Sequence, residues 1–129
     1  MLVDRLDVMR EGAKHSVELM LARIDEKLPL DDDNRYNIRL VSMELLNNIV
    51  DYSKADHIEL SCGLQDGVVS ITIDDNGPGF DYDEVMGRDV TDDLYQERGR
   101  GIFIVRTLAD EFHYNTTGNS VEVVLNLNR

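Results

Sequence analysis

Apolar residues recur at three- and four-residue steps through Leu6, Met9, Ala13, Val17, Leu21, Ile24 and Leu28, which predicts an amphipathic helix over residues 5 to 27. The stretch from Pro29 to Asn34 interrupts this period, and Asp31-Asp32-Asp33-Asn34 supplies side chains suited to starting a new helix. A second helix is expected from about 34 to 53, with Ile38, Val41, Leu45, Ile49 and Tyr52 as its buried stripe. The period then changes to two. Ile58, Leu60 and Cys62 alternate with Glu59 and Ser61, and Val69, Ile71 and Ile73 alternate with Ser70 and Thr72. Between these two strands Gln65-Asp66-Gly67 reads as a hairpin turn, because Asp-Gly tolerates positive φ. Residues 80 to 98 keep no period and carry seven acids, which predicts a loop or partly ordered lid. Ile102, Val105, Ala109 and Phe112 mark a third helix, and strands are expected near 111–116 and 120–127, joined through Thr117-Gly118-Asn119.

This order of elements suits an α+β sandwich: a largely antiparallel sheet with helices on one face. The strand alternation gives the sheet one buried and one wet face. A chain of 129 residues fits one domain, taken as residues 1–129, and can bury a core without staples. Its longest apolar runs, such as Ile102-Phe103-Ile104-Val105, are too short to span a membrane, and Met1-Leu2-Val3-Asp4-Arg5 lacks a signal-peptide pattern. The single Cys62 excludes an internal disulfide and suits the cytoplasm.

Charge narrows the partners. With 26 acids against 13 bases the net charge is −13, which argues against nucleic acid or an anionic membrane and is compatible with a basic protein partner or with simple solubility. Any site for a phosphorylated ligand must then rest on local donors and a cation.

Three constellations carry candidate chemistry. In Glu44-Leu45-Leu46-Asn47-Asn48, Glu44 and Asn48 lie about 40° apart on one flank of the apolar stripe, while Asn47 points further toward solvent. The carboxylate and amide oxygen can hold Mg²⁺, or the carboxylate can accept a proton from an attacking hydroxyl; the pair also suits an ordinary polar helix edge. In Asp75-Asn76-Gly77-Pro78-Gly79 an acid precedes two glycines at a strand end. The glycines let backbone approach a flat ring, and the carboxylate can accept from an exocyclic amine, although Asn-Gly-Pro-Gly forms tight turns in many proteins. Asp74 is the rival acid, directed to the opposite sheet face by the two-residue period. Gly99-Arg100-Gly101 opens an apolar helix at Ile102, where free N–H groups can bind phosphate with help from Arg98 and Arg100.

Together, Glu44-Leu-Leu-Asn-Asn48, Asp75-x-Gly77-x-Gly79 and Gly99-x-Gly101 resemble the N, G1 and G2 boxes of the GHKL (Bergerat-fold) ATPases, over roughly residues 10 to 127. The resemblance implies ATP or ADP held between the helices and a lid, with Asn48 on Mg²⁺, Glu44 as catalytic base, Asp75 reading adenine, and Gly99 and Gly101 in the phosphate loop. Within that superfamily the chain is most similar to bacterial anti-sigma factor serine kinases. Gly99 follows Gly79 by only 20 positions without a Phe-x-Pro-Phe box, Gly79-Phe80-Asp81 and the run from Arg98 to Asp110 read like that subfamily, and His15-Ser16-Val17-Glu18 does not match a phospho-acceptor histidine motif. The resemblance implies a kinase that phosphorylates a serine on a STAS-domain antagonist and binds a sigma factor, and it allows a homodimer. The alternatives are a non-catalytic nucleotide-binding module of a larger phosphatase or response-regulator system, and the ATP-binding half of a histidine kinase.

The chain departs from the pattern at Asp51, where many histidine kinases carry Lys, and at Asn119-Ser120, which replaces a Gly-Thr pair. The family's first strand is expected to be reduced to Leu2-Val3 or missing. Cys62, Met9, Met20 and Met43 are expected to pack in the core, and His15, His57 and His113 have no metal-ligand spacing.

Overall fold

The computed structural model describes residues 2–8, 12–52, 57–77, 97–115 and 120–128. In chain order the elements are β1 (Leu2–Asp7), α1 (Ala13–Lys27), α2 (Asp32–Tyr52), β2 (Ile58–Gln65), β3 (Val68–Asp75), α3 (Glu97–Leu108), β4 (Glu111–Tyr114) and β5 (Ser120–Asn126). The strands form one five-stranded sheet in the order β1-β2-β3-β5-β4, with every neighbouring pair antiparallel. The helices cover one face of it: α1 packs on β1 and β2, α2 on β3, and α3 on β4. The expected α+β sandwich is therefore the observed one.

Alternation decides what each face carries. Leu60, Cys62, Ile71, Ile73, Val121 and Val123 are buried on the helix-covered side. They meet Val17, Met20 and Ile24 of α1 and Ile38, Val41, Leu45 and Ile49 of α2. Burial also pushes the Cys62 thiol up to about 11, so it packs as a small apolar group and does not react as a thiolate. The other face is shallow, and Ser61, Gly63, Ser70 and Thr72 line its central depression together with Val124.

The β2–β3 hairpin turns at Asp66 (φ 54°) and Gly67 (φ 77°), the two consecutive positive values a type I′ turn requires. Its register then sets Ile58 opposite Asp75, so the hairpin aligns the start of β2 with the carboxylate that ends β3.

Three sequence expectations differ from the observed fold. Residues 5–27 do not form one helix, and the first strand is neither missing nor cut to two residues. Leu2–Asp7 pairs with β2, with Leu6 opposite Leu60 and Arg5 opposite Ser61. The spacing from Leu6 to Ala13 imitates a helix across a break at Gly12, whose φ of 87° and ψ of 148° only glycine adopts readily. From there α1 starts, with the Ser16 hydroxyl donating to the Gly12 carbonyl at 2.7 Å. The third helix ends at Leu108, so Ala109 lies beyond it and Phe112 belongs to β4. The apolar spacing runs on through Phe112 because the inward positions of β4 continue it by accident. The turn at 117–119 lies outside the described residues, as do residues 78–96, which include most of the expected lid, and the side chain of Tyr52.

The α1–α2 connection is pinned by charge. Asp25 accepts from the Leu30 N–H at 2.8 Å and from Arg35 Nη2 at 3.0 Å. Arg39 donates from Nε and Nη2 to both oxygens of Glu18, at 2.7 and 3.2 Å. The Leu30 N–H, then Arg35, holds the Asp25 carboxyl below its ordinary 3.8. The bonded Arg39 guanidinium holds Glu18 below its ordinary 4.5. A carboxyl lowered by folding stabilises above its unfolded pKa and loses that contribution as pH falls through the folded value. A Glu18→Gln/Asp25→Asn variant is therefore expected to be less stable than wild type near pH 7, by a small amount because both groups are exposed. The gap is expected to close as the pH falls through the folded-state values of the two carboxyls, below their ordinary 4.5 and 3.8, as read by urea unfolding near neutral and at acid pH.

Ser42 is fully buried on α2, and its hydroxyl has no hydrogen-bond partner among the described residues. Removing an unsatisfied buried hydroxyl and raising helix propensity act in the same direction. Ser42→Ala is expected to raise the unfolding free energy by about 1 kcal/mol in denaturant titration.

Candidate functional site

Helix α2 sits between α1 and α3, and its flank facing α3 carries the candidate residues. Leu45 and Leu46 are buried in the core, which fixes the rotation of the helix. Glu44 is then half-buried, Asn47 exposed and Asn48 only 5 % exposed, as the 100° step predicts.

Asn48 is polar, nearly dry and incompletely paired. Its Nδ2 donates to the Tyr114 hydroxyl at 3.5 Å, whereas its Oδ1 is buried with no partner among the described residues. Leaving a buried acceptor unsatisfied costs about 1–3 kcal/mol. The atom left without a partner is a hard carbonyl oxygen, the donor type that magnesium prefers. Among the described residues no group of three or more His, Cys, Asp or Glu gathers into a metal cluster. A cation here would draw on one or two protein oxygens and take the rest of its ligands from elsewhere.

Glu44 meets the third helix. A Cβ built on Gly101 would stand 2.6 Å from Glu44 Oε2, far inside van der Waals contact. Glycine at 101 thus lets the carboxylate lie against the backbone of α3. The helix begins at Glu97, two residues ahead of Gly99, and not at the glycines as the sequence suggests. Gly99 still falls in the first turn, whose N–H groups lack intrahelical acceptors, while the Gly101 N–H falls beyond the four that a helix leaves free. Ile102 is 1 % exposed, so only its main chain can face a ligand. The side chains of Arg98 and Arg100 lie outside the described residues.

Asp75 ends β3 on the helix-covered face, in alternation with buried Ile71 and Ile73. One carboxylate oxygen accepts from the Gly77 N–H at 2.7 Å, a local turn that orients the side chain. Asn76 ties the same corner to β2: its N–H donates to the His57 carbonyl at 3.2 Å, and its side-chain oxygen accepts from the His57 N–H at 3.0 Å. Gly77 is buried there, and Gly79 lies outside the described residues. Asp74 points the other way, where the Ser120 hydroxyl donates to it at 2.5 Å. Ser120 therefore serves the rival acid on the outer face and not Asp75.

The structure thus brings Glu44 to Gly101 and Asn48 to Tyr114, and it sets Asp75 on the sheet face that these helices cover. Tyr114 was not singled out by the sequence. Its signal was the alternation of β4, where Phe112 and Tyr114 turn inward and Glu111 and His113 outward.

A half-buried carboxylate, a dry carboxamide whose oxygen has no partner among the described residues and a glycine-bearing helix thus stand over one sheet. The sequence profile of the histidine kinase-like ATPase domain matches residues 6–125, and the chain belongs to that family, within the GHKL ATPase superfamily. Among solved structures it is similar to histidine kinase AdeS of Acinetobacter baumannii, with a TM-score of 0.53 and 16 % identity over 100 % of this chain and 70 % of that one. At that identity the likeness is one of fold. No curated protein matches the chain in sequence.

The contact between Glu44 and Gly101 is testable by stability alone. In a Glu44→Ala background, Gly101→Ala is expected to stabilise by about 1 kcal/mol through helix propensity. In wild type the gain is expected to be somewhat smaller, because the carboxylate end of the flexible Glu44 side chain must shift to admit the methyl. The coupling is read from a double-mutant cycle in urea.

Proposed function

We propose that the chain is an ATP-dependent protein serine kinase of the anti-sigma type, which phosphorylates a serine on a STAS-domain antagonist and binds a sigma factor. The observation that carries the reading is the buried, partnerless Oδ1 of Asn48 one helical turn from Glu44, beside the glycine-bearing helix. That oxygen suits magnesium carried in on the nucleotide. When bound, magnesium would neutralise phosphate charge that a chain of net charge −13 otherwise repels.

In this reading Asp75 accepts a hydrogen bond from the adenine amine, with Gly77 and Gly79 allowing the ring to lie close to backbone. The first turn of α3, at Arg98, Gly99 and Arg100, offers N–H groups to phosphate, with Gly101 and Ile102 continuing the helix behind them. Glu44 orients the acceptor serine and takes up its proton as the serine oxygen bonds to the γ-phosphorus and ADP leaves. Catalysis is then mainly positioning and charge neutralisation. The serine acceptor, the antagonist and the sigma factor rest on the subfamily resemblance of the three boxes and the short interval between Gly79 and Gly99. We place the protein in the cytoplasm from its single cysteine, and take residues 1–129 as a single domain from their length. Among the described residues no helix is long and apolar enough to cross a membrane.

Glu44→Ala is expected to abolish label transfer from ATP to a STAS-domain protein, at least 100-fold on the scale of general-base loss, while nucleotide affinity stays within a few-fold. Asn48→Ala is expected to weaken magnesium–nucleotide binding. Equal loss of nucleotide binding in both variants would contradict the division of roles. Tight nucleotide binding by wild type without any transfer would leave a nucleotide-gated binding module instead.

A further inference from the structure

We propose that Tyr114 is a positioning residue for Asn48: its hydroxyl anchors the carboxamide nitrogen so that Oδ1 faces the nucleotide-bound cation. The inference rests on the reading of Asn48 given above and adds a residue to it from a part of the chain that contains none of the three motifs.

The geometry is specific. Tyr114 is the last residue of β4, on the inward side, opposite Val121, which is 1 % exposed. Phe112, the other inward residue of that short strand, packs edge-on against it with ring centroids 5.5 Å apart and planes at 83°. The ring is thereby held over the core, and its hydroxyl reaches across to α2, where Asn48 Nδ2 donates to it at 3.5 Å. The two residues are 66 positions apart, so only the folded topology brings them together.

A carboxamide has two ends of nearly equal shape and opposite hydrogen-bonding character. Only the oxygen can ligate a cation. With the nitrogen end tied to Tyr114, the oxygen is the end left for the site, and it is the end that has no partner among the described residues. Without the hydroxyl the nitrogen loses that tie. The amide then has two unsatisfied ends and no preference between them, and cation binding must itself select the productive orientation. At 3.5 Å the bond is long, which puts its contribution at the lower end for a neutral pair.

The test uses Tyr114→Phe, which keeps the ring and its edge contact with Phe112. Binding of ADP is measured by calorimetry, once with magnesium and once with EDTA, for wild type, Tyr114→Phe, Asn48→Ala and the double variant. The expected result is a roughly twofold to threefold loss of affinity in Tyr114→Phe with magnesium and little change with EDTA. No further loss is expected when Tyr114→Phe is added to Asn48→Ala. A Tyr114→Phe that binds like wild type while Asn48→Ala weakens binding overturns the role of Tyr114 and leaves the site reading intact. An equal loss with and without magnesium shows a packing role only and overturns it too. If wild type and Asn48→Ala bind alike under both conditions, the assignment of Asn48 fails, and the inference fails with it.

Discussion

The fold is organised around the rotation of one helix. α2 must bury Ile38, Val41, Leu45, Leu46 and Ile49 against the sheet and the neighbouring helices. Once it does, the positions of Glu44 and Asn48 are no longer adjustable. Both lie on the margin of the stripe, where a side chain is partly or wholly dry yet close to the adjoining helix. Burial of five large aliphatic side chains contributes several kcal/mol, far more than the cost of one unsatisfied amide oxygen. The core can therefore hold Asn48 in a place that water would not choose for it.

The sheet adds a second constraint of the same kind. Because side chains alternate, Asp74 and Asp75 cannot serve the same face. The β2–β3 hairpin fixes which one faces the helices: its two-residue turn sets the register, and the register puts Asp75 in line with Ile71 and Ile73. Asp74 then pairs with Ser120 across the outer face. A slip of one residue would exchange the two acids and turn Val69, Ile71 and Ile73 to solvent, so core burial and placement of the acid are enforced together.

What the sequence made legible follows the range of the interactions involved. The hairpin at Asp66-Gly67 is encoded by its own two residues, and the stripe of α2 from Ile38 to Ile49 by a local period, so both are read correctly. β1 is hidden because its partner β2 lies more than fifty residues away, and because Leu6, Ala13 and Val17 mimic helical spacing across the break at Gly12. The end of α3 is blurred for a related reason, since Phe112 continues the helix period from within a strand. In the site, the pairing of Glu44 and Asn48 on one flank is legible from spacing. The contact of Glu44 with Gly101 and the reach of Tyr114 to Asn48 are not, because each depends on how α2, α3 and β4 pack in three dimensions.

The Glu44–Gly101 contact gives that glycine a role beyond backbone freedom. Neither Gly99 nor Gly101 needs positive φ, since positive φ among the described glycines occurs only at Gly12 and Gly67. Gly101 sits inside a helix, where glycine costs about 1 kcal/mol relative to alanine. A sequence that bears that cost at a buried helical position is compensated by what the missing methyl admits, and here the group admitted is a carboxylate. Glycine at 101 and the acid at 44 thus lie in contact: the missing methyl leaves room for the carboxylate end of the Glu44 side chain. Since α2 is fixed by its core, it is the free space on α3 that decides where the Glu44 carboxylate can lie.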